Sequence, residues 1–165
     1  MPLFATDLAL RSANNGFVLV SAALVLMMTP ALALFYSGFV RSRNVLNTMV
    51  MSFSAMALVS VLWVLFGYSL AFSPGTGPLA PFIGGWQWAG LANWSAPAAG
   101  GQLSQGAVAL FQASFAIITP ALISGAVAER MRFTAYVVFC AAWSLLAYAP
   151  VAHWAWAPGG WLRAL

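Results

Sequence analysis

The residues of this chain that could do chemistry are few, because ionisable side chains are nearly absent. Of its 165 residues only six Arg and two acidic residues are charged at neutral pH, and neither carboxylate falls within a long apolar segment. Paired-acid catalysis, an Asp and Glu proton relay and a carboxylate metal site are therefore unsupported. One His and one Cys are too few for a zinc site or a convincing nucleophile pair. The sequence predicts a protein that is not an enzyme and that holds neither a metal nor a cofactor.

Aromatic rings are the abundant functional groups. Phe111 and Phe115 stand four residues apart, hence on one helix face, and Trp154 and Trp156 stand at the end of the last apolar segment. Each ring face contributes roughly 0.5 to 2 kcal/mol to the binding of a small cation. The rings could therefore form a vestibule that collects a cation. They could equally pack in a core or in a belt that faces lipid, and their spacing leaves both interpretations open.

Long apolar segments must position these rings. The chain is 63% hydrophobic with a mean hydropathy of +0.91, and a helix needs about 20 apolar residues to cross a bilayer. Four segments qualify, at about 17–40, 45–72, 105–128 and 133–152. Residues 73–104 are rich in Pro and Gly and contain three Trp, which is typical of an interfacial loop. The prediction is an all-α polytopic membrane protein with four transmembrane helices.

The N-terminal residues have no basic residue ahead of their short apolar stretch. We therefore do not expect a cleavable signal peptide. Asn14, Asn15 and Gly16 are interpreted as a polar lead-in to the first helix.

The charged residues predict the orientation. Arg41 and Arg43 follow the first segment, Arg130 and Arg132 follow the third, and residues 73–104 carry no charge. Short connections rich in Arg stay in the cytoplasm. The N-terminus, the loop 73–104 and the residues after the fourth segment are therefore predicted outside. All six basic residues stand at segment ends without interleaved aromatic residues, so the sequence pI near 10.0 does not indicate nucleic-acid binding.

Six motifs resemble, in order and spacing, the ammonium transporter family (Amt/Mep/Rh). They are TPALALFYSG at 29–38, RSRNVL at 41–46, FQASF at 111–115, GAVAERMRF at 125–133, AHWAW at 152–156 and GGWL at 159–162. Ser37 stands where Gly is more usual, which we expect to affect only close packing. The resemblance covers the chain from about Gly16 onward. It implies that residues 1–165 are a partial ammonium transporter domain, matching the first four helices of an eleven-helix fold.

The resemblance also implies roles for individual residues. Phe111 and Trp156 are expected to line an outer site that recruits ammonium, and Phe115 to be one of two stacked rings that gate the pore beneath it. His153 matches the outer Ala-His-x-x-Trp motif, for which a structural role is expected. The family's Asp at the start of the fifth helix, its second gate Phe, its recruiting Ser and its paired pore His belong to parts beyond Leu165.

Energetics restrict the mechanism. Two cation-π contacts supply about 4 kcal/mol, whereas an ion in a low-dielectric medium costs tens of kcal/mol. The rings can collect ammonium but cannot carry it bare across the membrane. This favours deprotonation at the vestibule with passage of the neutral species, or a path through polar groups that the chain does not contain. Because four of the six Arg are predicted on the cytoplasmic side, opposite the rings, the approach to the rings is predicted to be nearly charge-free.

The predicted function is ammonium transmembrane transport, as the N-terminal part of a transporter that is incomplete alone. The alternative is a non-conducting truncated or sensory membrane module, and a carrier for another small amine is a third hypothesis. Expected partners are ammonium or ammonia, the lipid bilayer, and, by resemblance, two further copies in a homotrimer and a PII-type regulatory protein at the cytoplasmic Arg turns. Those Arg could instead serve only topogenesis and headgroup contact. The predicted location is the plasma or inner membrane.

Overall fold

The computed structural model describes residues 2–98, 100–163 and 165, with side chains described from Asp7 onward. Met1, Ala99 and Ala164 of the predicted domain 1–165 lie outside the described residues. The regular elements form four spans. They are α1 (Pro2–Ser37); α2 (Val45–Leu62), a π-helical turn (Trp63–Gly67) and α3 (Tyr68–Phe72); α4 (Gln105–Val127); and α5 (Phe133–Trp143), a second π-helical turn (Ser144–Tyr148) and α6 (Ala149–Trp156). All four spans are long and apolar enough to cross a membrane, which confirms the predicted all-α membrane fold.

The first helix differs from the sequence prediction. Asn14, Asn15 and Gly16 lie inside α1, so the predicted polar lead-in is wrong. The polarity serves tertiary contacts instead: Asn15 Oδ1 accepts hydrogen bonds from the backbone N and the Oγ of Ser104, at 2.9 and 3.3 Å. Asn14 Nδ2 donates to Gln102 Oε1 at 3.3 Å. These bonds tie α1 to the start of α4.

Small side chains allow the spans to pack closely. α1 packs against α2 and α4, α2 also packs against α4 and α5, and α3 packs against α6. Ala33, Ala55 and Ala116 at these contacts are buried, as expected where backbones of membrane helices approach one another. Hydroxyl groups add specific links: Ser52 Oγ lies 3.3 Å from Ser124 Oγ, and the Tyr136 hydroxyl donates to the Pro120 carbonyl at 2.8 Å.

Two π-helical turns lie side by side in the second and fourth spans. The ring of Trp63 in the first turn is 5.9 Å from that of Tyr148 in the second. Trp63 Nε1 also donates to the Ala109 carbonyl of α4 at 3.0 Å. A Cβ at Gly67 would lie 2.8 Å from a Trp63 ring carbon, so glycine leaves room for this ring. Each π turn adds a residue to its helix and rotates the face presented by α3 and α6.

The bundle has two unlike ends. We call the turns 38–44 and 128–132 the arginine end, and the loop 73–104 with residues 157–163 the tryptophan end. At the arginine end, Glu129 Oε1 accepts from the Arg41 backbone N at 2.9 Å and from Asn44 Nδ2 at 2.8 Å. Hydrogen bonding from Asn44 and then from the Arg41 backbone holds the pKa of Glu129 below its ordinary value. A single carboxylate therefore joins the two Arg turns.

Candidate functional site

His153 anchors the tryptophan end. Its ring is 1% exposed, with Nδ1 2.9 Å from the Ala71 carbonyl oxygen and Nε2 2.9 Å from that of Ala80. An N–H on either ring nitrogen can donate to the carbonyl oxygen that it faces. The ring thus lies between the end of α3 and the loop 73–104. This placement gives His153 a structural contact rather than a position in a pore.

Two serines hold the loop over α3. Ser69 Oγ and Ser73 Oγ both donate to the Gly85 carbonyl at 2.8 Å. Ser69 Oγ also accepts from the Trp88 backbone N at 3.0 Å, which places Trp88 above α3. Gly84 lies so close that an added Cβ would be 2.6 Å from the Ser69 carbonyl oxygen. The loop is therefore seated on the backbone of α3 itself.

The loop 73–104 forms one side of an open cleft of about 310 Å³ at the tryptophan end, which we call the aromatic cleft. Tyr68 is stacked between Phe72 and Trp88, with ring centroids 5.5 and 5.7 Å away. Trp156 from α6 forms another wall and is 46% exposed. The remaining lining residues are Ala98, Gln105, Val108, Gln112, Pro158 and Arg163. Four aromatic rings and two amides thus surround one open cleft.

The predicted gate residue lies on a neighbouring face of α4. The Phe111 and Phe115 rings meet edge to face, with centroids 5.1 Å apart. Phe115 lines an apolar groove against Met28 and Phe35 of α1. Gln112, the next residue after Phe111, lines the aromatic cleft. Successive residues of a helix are rotated by about 100°, so Phe111 lies on the helix face next to the one that lines the cleft. The structure therefore brings Phe111 and Phe115 together and places Trp156 in the adjoining cleft.

Arg163 is the functional candidate that sequence reasoning missed. Its Nη1 donates to the Trp156 carbonyl at 2.8 Å, and its side chain lines the aromatic cleft. The prediction of a nearly charge-free approach is therefore wrong at Trp156. The chain folds back onto α6 after a tight turn that Gly160 allows. A Cβ at Gly160 would collide with the carbonyl oxygens of His153 and Trp154. The Gly159-Gly160 pair was the available signal that residues beyond it fold back onto α6.

The chemistry available at this site is the capture of a small cation. Stacked and edge-on rings supply negative π faces, and the amides of Gln105 and Gln112 supply polar groups for a ligand that carries N–H donors. Gln105 is 6% exposed, and its Oε1 has no hydrogen-bond partner within the part of the chain that the structure describes. The same part contains no cluster of three His, Cys, Asp or Glu residues that could hold a metal ion.

Comparison with known proteins gives consistent matches. The sequence model described as the Ammonium Transporter Family matches residues 16–165. The chain is 49% identical over 158 residues to an ammonium transporter of Bacillus subtilis, covering 94% of this chain and 38% of the relative. It is 45% identical over 170 residues to one of Mycobacterium tuberculosis, covering 90% and 36%.

A solved structure matches as well. The crystal structure of Saccharomyces cerevisiae Mep2 superposes with a TM-score of 0.83 at 37% identity, covering 92% of this chain and 33% of the Mep2 chain. The chain thus spans less than two fifths of the length of these proteins.

Proposed function

Because this chain belongs to the ammonium transporter family, we propose that it supplies the first four helices of a transporter that moves ammonium across a cell membrane. The aromatic cleft carries this proposal, since Trp156 lies in it beside the face of α4 that holds Phe111 and Phe115. The cleft is at one end of the four spans, where a ligand arriving from water first meets the protein. The spans make up a minority of the relatives' length, so the remaining helices must complete the pore.

The proposal gives each ring a step. Trp156 in the cleft and Phe111 on the adjoining face of α4 recruit the ammonium cation, and Phe115 gates the passage below them. The apolar groove beside Phe115 supports this order, because its wall offers Met28, Leu32 and Phe35 but no charge. Two ring contacts contribute about 4 kcal/mol, far less than the tens of kcal/mol needed to bury a bare ion. The bare ion therefore does not cross through these rings alone: either ammonium transfers a proton near the cleft to a water molecule or a base of the remaining helices and the neutral species crosses, or polar groups of those helices carry the cation.

The orientation follows from charge. We place the tryptophan end outside the cell and the arginine end in the cytoplasm, since short Arg-rich connections stay inside. Trp86 and Trp94 at the tryptophan end are about two-thirds exposed, at 64% and 65%, which suits rings that settle among lipid headgroups. The N-terminus of α1 then lies outside the cell, and the membrane that the spans cross is the plasma or inner membrane.

Partners are proposed on the same basis. Large apolar side chains such as Val20, Leu24 and Met27 are exposed on α1, and lipid or neighbouring copies in a homotrimer would cover them. The Arg turns at the arginine end present cations to the cytoplasm, where a PII-type regulatory protein would dock. Contact of those Arg with anionic headgroups is the alternative.

The test is a chimera in which residues 16–165 replace the matching segment of the Bacillus subtilis ammonium transporter. In cells that lack their own ammonium transporters, we expect the chimera to restore growth on low ammonium and uptake of labelled methylammonium. Trp156→Ala should raise the KM about five- to thirtyfold, because it removes about 1 to 2 kcal/mol of cation-π attraction. Trp161→Ala is the control, as this exposed Trp at the same end does not line the cleft.

Two results would overturn the proposal. A chimera that reaches the membrane, binds methylammonium and shows no uptake would support the non-conducting sensory alternative. Robust uptake by residues 1–165 alone would show that the chain does not need the remaining helices.

A further inference from the structure

Arg163 places a full positive charge beside the predicted cation site. Its guanidinium hydrogen-bonds to the carbonyl oxygen of Trp156, the residue whose ring forms one wall of the aromatic cleft. The covalent dimensions of a Trp residue then place the charge within about 10 Å of that ring. Among the described residues that line the cleft, Arg163 is the only one ionised at neutral pH.

The hydrogen bond by itself has an ordinary structural explanation. The Trp156 carbonyl is one of the last carbonyls of α6, which have no partner within the helix. An Arg just beyond a helix C-terminus satisfies such a carbonyl and interacts favourably with the helix dipole. A cap needs a donor, and several neutral side chains supply one. The presence of an exposed, charged residue in the lining of the cleft is a separate property, which capping leaves unexplained.

We propose that Arg163 is a positioning and specificity-determining residue of the ammonium recruitment site: it fixes Trp156 through the carbonyl and opposes entry of the cation. This inference rests on the proposed recruitment role of the aromatic cleft. Ammonium meets a repulsive charge at the mouth, whereas neutral ammonia does not. Capture of the cation is then weaker than the rings alone would give, and it strengthens as salt screens the guanidinium.

The expected size of the effect follows from Coulomb's law. Without screening, two unit charges about 10 Å apart change the affinity by about twofold in bulk water and by about seventeenfold at the effective dielectric constant of about 20 at a protein surface. The separation is close to the Debye length of about 8 to 10 Å at physiological salt. Changing the ionic strength within an ordinary range should therefore alter the interaction measurably.

The experiment uses the chimera described above and two variants of Arg163. Arg163→Gln keeps a donor for the Trp156 carbonyl and removes the charge, while Arg163→Lys keeps the charge and removes the planar guanidinium group. We expect Arg163→Gln to lower the KM for methylammonium about two- to tenfold. Its KM should also lose most of its dependence on ionic strength, whereas Arg163→Lys should retain that dependence. Arg130→Gln makes the same charge change at the arginine end and should leave the KM unchanged.

The experiment distinguishes failure of the Arg163 inference from failure of the proposed function. If both Arg163 variants change the KM equally at every ionic strength, Arg163 is only a helix cap and the inference fails while transport stands. If the chimera does not transport at all, the proposed function fails. The inference is then tested on the purified chain in lipid nanodiscs, by the shift of the Trp156 indole resonance with methylammonium. An identical titration of wild type and Arg163→Gln at low and high salt would overturn it.

Discussion

The arginine end and the tryptophan end of the bundle hold their connections by different chemistry. At the arginine end, one exposed carboxylate, Glu129, accepts hydrogen bonds from Arg41 and Asn44 of the other turn. At the tryptophan end, the rings of His153 and Trp154 contact backbone carbonyl oxygens of the loop 73–104 through their ring nitrogens. The arginine end is joined by an ionised carboxylate, and the loop at the tryptophan end is held by hydrogen bonds from His and Trp rings to backbone carbonyl oxygens.

The difference agrees with the proposed function, in which aromatic rings at the tryptophan end collect ammonium. The difference also predicts unequal stability. Losing a partner in a buried bond leaves an unsatisfied group in a dry place, which costs more than losing an exposed ionic contact. Substitutions at the tryptophan end should therefore cost more.

The largest effect is expected where the loop touches the backbone of α3. A Cβ at Gly84 would lie 2.6 to 2.8 Å from the carbonyl oxygens of Ser69, Ser73 and Leu70. These are main-chain atoms of a packed helix end, so the loop itself must move. We expect Gly84→Ala to reduce the free energy of unfolding by about 3 kcal/mol. Equilibrium unfolding in mixed micelles measures this, and protease cleavage within the loop should increase.

Gly125 provides the counterpart nearer the arginine end. A Cβ there would lie 2.5 to 2.8 Å from the ring of Tyr36, a half-buried side chain that would have to shift and whose hydroxyl donates to the Leu122 carbonyl at 3.2 Å. Part of the cost is recovered because Ala is a better helix former than Gly, so Gly125→Ala should cost about 1 kcal/mol or less. Gly159→Ala is the control, since nothing lies within 4 Å of its Cβ. A larger loss for Gly125→Ala than for Gly84→Ala would contradict the predicted ranking.

Much of the fold was predictable because it depends on local composition. Segment length and hydropathy give the four spans, and the turns with Arg give an orientation. The π-helical turns were not predictable, because a π turn is selected by the fit of rings such as Trp63 against Tyr148, residues far apart in sequence. Asn15 was misassigned for the same reason: its partner Ser104 stands 89 positions along the chain.

An effect between those of Gly84→Ala and Gly125→Ala is expected at His153. His153→Phe fills similar space but removes the donor between Ala71 and Ala80. A buried carbonyl left without a partner costs about 1 to 3 kcal/mol, and we expect a loss of about 2 kcal/mol in the same unfolding assay. His153→Gln keeps N–H donors and should recover part of that loss. Equal stability of all three proteins would show that the ring only fills space.

The candidate site was predictable only in part. The motif at 152–156 names Trp156, and the spacing of Phe111 and Phe115 predicts their shared face. Trp88 and Tyr68 are brought to the cleft by the seating of the loop on Ser69, which no local pattern encodes. Arg163 reaches Trp156 by a turn whose closure depends on Gly160. Residues placed by helix periodicity were found, and residues placed by loop folding were not.

The smallest effect is expected at the arginine end. Glu129→Gln keeps an oxygen that can accept from Arg41 and Asn44, so only the charge assistance is lost and the midpoint of thermal unfolding should fall slightly. The pH dependence identifies this contribution. The pKa of Glu129 is lowered in the folded protein from an ordinary value of 4.5, so the unfolded chain binds more protons in acid. The stabilisation is therefore complete above about pH 5 and is lost as the pH falls through the folded pKa.

Thermal unfolding of wild type and Glu129→Gln in nanodiscs between about pH 3 and pH 7 tests this sign. The difference between the two proteins should be largest at pH 7 and should vanish toward pH 3. Asn44→Ala, which removes the largest cause of the lowered pKa, should shrink the pH-dependent part while leaving the Arg41 contact. If the difference instead grew on acidification, the carboxylate would not be joining the two turns as an ion. The contrast between an end joined by a carboxylate and an end held by ring-to-carbonyl hydrogen bonds would then be wrong at the arginine end.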